Sequence, residues 1–249
     1  MPDQHRIALV EGLSFRSYKN QPSTQTDYLI LHSPIGIFGD CHANPLSPRQ
    51  VLIAFTTDYR EFALPEGSLK ENILLNVNPS FSEKFESGDC LSVGDVGFKL
   101  RITFKCEPCG RLNKVHPNLS REIRGRRGFL ARVVRSGELR TGDILRLTKN
   151  VYPPFSDDWH QRVIAIARLL PANRSMSYST LAVLSGVASA YCRAFPRLLR
   201  THRLPTERIL PSASSSQFPQ WDAKEIFAQE DEDCGTESLA ATYCDTAKD

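Results

Sequence analysis

The pattern of apolar and polar positions changes character near residue 152. Before it, apolar residues recur in short alternating runs. The stretch LSVGDVGFKLRITFKC carries Val93, Val96, Phe98, Leu100, Ile102 and Phe104, close to the two-residue period of a strand. RGFLARVVRSGELRTGDILRL places Phe129, Ala131 and Val133 before a turn at Ser136-Gly137, then Ile144, Leu145 and Leu147. Gly, Pro, Asn and Asp separate such runs at regular spacing, the pattern of a barrel or sandwich. The expectation is a mainly β, barrel-like domain over residues 1–152, with its core over 25–150.

Tyr152-Pro153-Pro154 marks the boundary. Ser156 or Asp157 is placed to cap a helix, WHQRVIAIARLL, whose Trp159, Val163, Ile166, Ala167 and Leu170 recur at helical spacing until Pro171 stops it. A short helix over Ser179–Leu184, a turn at Gly186 and a second helix over Ser189–Arg200 predict a small α-rich helix-turn-helix domain across 155–212. Residues 213–249 open with ASSSQFPQ and continue into an acidic run, QEDEDCGTES, which predicts a disordered acidic tail with at most a brief helix at Ala223–Gln229. The chain has no internal repeat.

Composition narrows the class. At 249 residues and 41% hydrophobic, the chain can bury real cores. No apolar run approaches the ~20 residues of a membrane span, and the N-terminal MPDQHRIALVEG lacks the apolar centre of a signal peptide. Seven scattered cysteines do not read as a secreted disulfide framework. The expectation is a cytoplasmic protein with no membrane partner. Charge adds an asymmetry: residues 155–212 carry eight basic residues, all arginine, against three acidic ones, and 213–249 carry two against nine. Arginine suits bidentate phosphate contacts, although a solvated surface gives the same count.

The stretch FKCEPCGRLN, Phe104–Asn113, concentrates the candidate chemistry. Cys106 and Cys109 have several readings: a zinc clip, a redox dithiol, a cofactor ligand, or structural thiols in a turn. Zinc needs four ligands, and Cys41-His42 and Cys90 offer no recognisable second pair. A thioredoxin-type dithiol needs a βαβ setting that the pattern lacks.

Three fragments in order, Gly39-Asp40-Cys41-His42 with Ser47-Pro48-Arg49-Gln50-Val51, Lys70-Glu71-Asn72-Ile73, and Ser87-Gly88-Asp89-Cys90 leading to Cys106-Glu107-Pro108-Cys109, resemble a MOSC domain. That module is found in molybdenum-cofactor sulfurases, which carry an association with pyridoxal phosphate, and in reductases of N-hydroxylated compounds. The resemblance implies a β-barrel-like domain that binds a molybdenum cofactor (molybdopterin). It implies that Cys109, followed by Gly110-Arg111-Leu112, is the catalytic cysteine and molybdenum ligand. A thiolate is a soft donor suited to such a centre, and a neighbouring Arg111 favours the thiolate form. Asp40, His42, Arg49, Glu71, Asn72 and Arg111 are the implied cofactor-binding residues. Each also has an ordinary role as a turn or surface residue. The cluster Arg121, Arg124, Arg126 and Arg127 reads as a cofactor grip, a nucleic-acid contact or a solvated loop.

A second resemblance covers residues 157–211. Pro171, Ser177-Tyr178, Leu181-Ala182, Gly186, Arg193-Ala194 and Leu204-Pro205 with Arg208 are similar to the DNA-binding domain of O6-alkylguanine-DNA alkyltransferases and their alkyltransferase-like relatives. It implies that Tyr178 helps to rotate a nucleotide out of duplex DNA and that Arg193 fills the gap, with Arg197 and Arg200 on the same helix face along the phosphates. The tetrad that carries the family's cysteine and histidine reads Pro205-Thr206-Glu207-Arg208 here. A hydroxyl without an activating base is a poor nucleophile, so no alkyl transfer is expected. The combined expectation is a molybdenum-cofactor protein that reduces N-hydroxylated substrates or handles cofactor sulfur. Its expected partners are an electron donor protein and duplex DNA or modified nucleobases. The alternative is a non-enzymatic DNA-lesion-binding protein that uses the first domain as a scaffold.

Overall fold

The computed structural model describes residues 7–19, 21–78, 85–212 and 216–227. Seven strands close into a barrel: β1 (Ile7–Phe15), β5 (Val51–Phe55), β6 (Ile73–Asn76), β7 (Cys90–Ser92), β8 (Lys99–Lys105), β9 (Phe129–Arg135) and β11 (Ile144–Thr148). Around the ring they run β1-β11-β7-β8-β9-β5-β6 and return to β1. Neighbours are antiparallel except β5 and β6, which are parallel, with Ile53 opposite Ile73. Parallel neighbours need a crossover connection. Here it contains the helix Thr56–Glu61 and ends in Lys70-Glu71-Asn72. β2 (Thr24–Thr26) extends the sheet beside β1, and β3 (Tyr28–His32), β4 (Gly36–Ile37) and β10 (Gly137–Arg140) form a small second sheet.

Alternation puts Val10, Ile53, Phe55, Ile73, Leu100, Ile102, Ala131 and Val133 in one apolar core. Two details depart from the sequence pattern. The barrel begins at Ile7, ahead of the expected core, and closure runs through β1 by way of Ala8 opposite Leu145. Val96 is 94% exposed in the turn between β7 and β8, so the inward alternation starts only at Phe98.

The helical segment has its own core, including Val163, Ile166, Leu181, Phe195, Leu199 and Ile209. Its first helix, Trp159–Arg168, is capped by Asp158, whose carboxylate accepts from the His160 amide at 2.9 Å. Neither Ser156 nor Asp157 is the cap. The Asp157 carboxylate instead accepts from the Lys105 amide at 2.8 Å, tying the segment to the end of β8. Ser177 caps the helix Tyr178–Leu184. The single helix expected at Ser189–Arg200 is two pieces: a 3-10 turn, Ser189–Ala194, and a helix, Phe195–Thr201. Pro196 explains the break, because it favours a helix start and cannot donate within one. β12 (Met176–Ser177) and β13 (Ile209–Leu210) pair in parallel beneath these helices.

The expectation of a disordered tail needs correction for residues 216–227. Trp221, Ala223 and Phe227 are buried in the helical core, and Ser175 exchanges backbone hydrogen bonds with Pro219 and Trp221. Two large apolar side chains, Trp221 and Phe227, inside an acidic stretch decide this, since burying them outweighs the neighbouring charge. Residues 228–249, including the rest of the brief helix expected at Ala223–Gln229, lie outside the described residues. Among the described residues, no helix is long and apolar enough to cross a membrane.

Candidate functional site

At one mouth of the barrel is a cavity of about 760 Å³. It is walled by the turn after β1, the loop entering β5, the crossover before β6, the loop after β8, the approach to β9, and the helical segment's Ala188 and Tyr191. Seven basic side chains line it (Arg16, Lys19, Arg49, Lys70, Arg111, Lys114 and Arg127), with His42 and a single carboxylate, Glu107. Like charges raise each other's energy in a partly enclosed space. Lys70 registers this: burial, then Arg16 and Arg111, hold its ammonium below the usual lysine range, with Cys109 opposing.

Cys109 and Cys106 have different surroundings. Cys109 is exposed and lines the cavity. It precedes a 3-10 turn, Gly110–Lys114, in which only Leu112 is buried. Leu112 packs with Tyr59, Leu69 and Leu119. That apolar anchor fixes the turn, while Cys109 and Arg111 line the cavity. Cys106 touches the same cavity but is buried among Leu52, Phe104 and Leu130, and burial pushes its thiol up. Among the described residues, the one set of three grouped metal-capable side chains is Asp40, Cys41 and His42. Cys106 and Cys109 therefore do not join Cys41, His42 or Cys90 in a zinc tetrad.

Asp40 is the buried organiser behind His42 and Asn72, which line the cavity. One carboxylate oxygen accepts from the His42 amide at 2.8 Å and the His42 ring at 2.9 Å. The other accepts from the Arg16 amide at 2.9 Å and Asn72 Nδ2 at 3.1 Å. His42 Nε2 lies 3.4 Å from an Arg16 guanidinium nitrogen, which can only donate. Burial opposes ionisation of Asp40, but its hydrogen bonds, those from His42 foremost, outweigh burial and leave the carboxyl below its ordinary value. Such a group stabilises the fold fully above the unfolded-state value of about 3.9 and loses that contribution as pH falls through the lower folded value. The melting temperature is expected to fall below about pH 4, and Asp40→Asn to remove part of that fall. Identical acid limbs in both proteins would contradict this role.

Asn72 lines the cavity, yet its amide is fully used: it donates to Ser14 O and Asp40, and accepts from the Leu52 amide at 3.0 Å. Glu71 is not brought to the cavity wall. Its carboxyl accepts from Tyr59 Oη at 2.6 Å, and burial pushes it up. Arg49 lines the cavity and donates to Gly186 O of the helical segment at 3.1 Å. The four-arginine run splits. Arg127 faces the cavity, Arg126 is paired with Asp58 at 2.7 Å and with Glu61, and Arg121 and Arg124 are exposed. Arg16, Lys19, Lys70 and Lys114 were not legible as site residues. They come from three separate segments, the turn after β1, the crossover before β6 and the turn after β8, and only closure of the barrel gathers them.

In the helical segment Arg193, Arg197 and Arg200 are exposed and Tyr178 is half-buried. The Tyr178 ring packs edge-on against Phe195, with centroids 5.8 Å apart. Arg193 lies in the 3-10 turn, and Arg197 and Arg200 in the helix after it.

The family model for the MOSC domain matches residues 37–146. Residues 37–146 are a MOSC domain. MOSC domains are associated in general with binding of a molybdenum cofactor. Among solved structures, the YuaD protein of Bacillus subtilis is 22% identical, with a TM-score of 0.50 over 58% of this chain and 97% of that one. A hypothetical protein is 17% identical, with a TM-score of 0.51 over 82% of this chain and 93% of that one. YiiM of Geobacillus stearothermophilus is 15% identical, with a TM-score of 0.48 over 77% and 99%. The first two likenesses concern the fold alone. The 82% coverage requires the second to run beyond the MOSC domain into the helical segment. No curated protein matches this chain.

Proposed function

We propose that this chain is a molybdenum-cofactor protein whose basic cavity holds the anionic cofactor and whose Cys109 is the metal's thiolate ligand. The observation that carries the reading is the gathering of seven basic side chains and one carboxylate around an exposed cysteine. That donor set fits a phosphate-bearing group with a thiol-rich metal. Arg49, Arg111, Lys70 and Arg127 are the residues that would grip it, and His42, which lines the same cavity, would add a further polar contact. When bound, the cofactor supplies two-electron redox chemistry. The chain itself binds, orients and partly encloses it.

The reaction is reduction of N-hydroxylated substrates, with handling of cofactor sulfur as the other use open to a ligand thiol. Electrons come from a separate donor protein. Cofactor-loaded protein with a competent donor is expected to convert N-hydroxyadenine to adenine. Absence of turnover despite full loading would exclude the reductase activity and leave sulfur handling.

A second activity is favoured by the exposed Arg193, Arg197 and Arg200 close together in the helical segment. There the chain binds duplex DNA or modified nucleobases without transferring an alkyl group, because Thr206 stands with no histidine beside it. If DNA binding proves to be the whole function, the barrel serves as a scaffold. Arg193→Ala is expected to weaken duplex binding, and parental affinity to fall steeply with salt. A salt-insensitive interaction, or one unchanged by the substitution, would contradict this reading.

A further inference from the structure

The cavity is not built by the barrel alone. Ala188 and Tyr191, both from the helical segment, line it. Tyr191 is held at two points. Its ring meets Trp159 edge-on, with centroids 4.8 Å apart and planes at 67°, and Trp159 is itself stacked on His160 at 3.8 Å. Its hydroxyl lies 3.3 Å from Glu107 Oε2. Glu107 stands between Cys106 and Cys109 in sequence. The same residue faces Arg162 of the first helix at 3.6 Å, and its carbonyl accepts from Arg127 of the barrel at 2.8 Å.

Behind this contact the two units are tightly joined. The Arg162 side chain is 1% exposed and its guanidinium lies 3.7 Å from the centroid of Phe104, on β8. At Gly186 (φ +63°), a Cβ would come within 2.5 Å of the Phe104 ring and 3.0 Å of Pro48. A surface fixed by buried contacts behind it does not swing away at small cost.

We propose that the helical segment is a permanent wall of the MOSC cavity, and that Tyr191 limits the size of what reaches Cys109. The inference rests on Cys109 being the reactive group of the site. It assigns the segment a role in substrate selection that is independent of any nucleic acid. The substrates it admits are compact small molecules. Tyr191 is a specificity-determining residue and Glu107 a positioning residue, which links that wall to the cysteine loop.

The test uses the full-length, cofactor-free protein and two reagents of the same chemistry and different bulk, N-ethylmaleimide and N-(1-pyrenyl)maleimide. Modification of Cys109 is followed by peptide mass, so that Cys41 and Cys192 are counted separately. Tyr191→Ala is expected to raise the ratio of pyrenyl to ethyl labelling rates by about tenfold, and Tyr191→Phe, which keeps the ring, to leave it within about twofold. Tyr191→Leu keeps an apolar contact with Trp159 and opens the same wall, so it replaces the alanine variant if that variant fails to fold. A ratio unchanged in the opened variants, or raised equally in Tyr191→Phe, would overturn the proposal. Because no cofactor is present, failure here is distinct from failure of the cofactor reading, which is measured by metal content.

Discussion

Cys109→Ala is expected to strip the native protein of molybdenum and of turnover, whereas Cys106→Ala is expected to retain both and lose stability instead. The two thiols stand three residues apart but occupy different physical settings. Cys109 is exposed, lines the cavity and precedes a turn anchored by buried Leu112. It is available to a metal, and its removal exposes no buried partner. Cys106 sits among Leu52, Phe104 and Leu130, with its thiol pushed up by burial. A thiol held protonated by its surroundings is a poor ligand and a poor redox partner. Deleting its sulfur removes one buried apolar group, worth about 1 kcal/mol. Metal analysis and thermal unfolding of both variants separate the roles. Equal metal loss in both variants would mean that the pair acts as a unit, and loss only in Cys106→Ala would reverse the assignment.

The second large effect is expected at Arg162. Its guanidinium donates to Ser185 O at 2.9 Å, Ser156 O at 2.8 Å and Asp157 O at 2.9 Å, lies over Phe104 and faces Glu107. Burial presses its pKa below the usual arginine range, so the charge is retained by its partners and not by solvent. Arg162→Ala removes the donor for all three carbonyls and the cation from the junction. The expected loss is about 3–5 kcal/mol, the scale for breaking a buried, hydrogen-bonded charge. Arg162→Lys is expected to recover little of it, because an ammonium cannot reproduce the planar fork. Urea unfolding of the three proteins measures both effects. A loss under about 1 kcal/mol in Arg162→Ala would show that the junction does not depend on this residue.

Much of the barrel was legible because its strands alternate: Leu100, Ile102, Ala131 and Val133 point inward as the two-residue period requires. β1 was not legible, although IALVEGLSF closes the ring. Its pattern breaks at Gly12, beside a register shift against β6, in a strand that pairs with β11, β6 and β2. Trp221 and Phe227 were hidden by acidic neighbours that say nothing about burial. The loop cysteine was legible through a local motif. Only part of the basic wall was, through Arg49, Arg111 and the run that holds Arg127; Arg16, Lys19, Lys70 and Lys114 join them only in the folded chain. Glu71 lies within a matching motif, yet its carboxyl turns to Tyr59. A motif fixes a backbone position and leaves the direction of the side chain to packing.

The central claim is that the basic cavity holds a molybdenum cofactor through Cys109. Its most direct test is the metal and pterin content of the native, freshly purified protein. Molybdenum and a phosphate-bearing pterin in equal amounts, both lost in Cys109→Ala, are the predicted result. Protein from cells rich in the cofactor that carries neither, or that carries zinc on the cysteine pair, would contradict it.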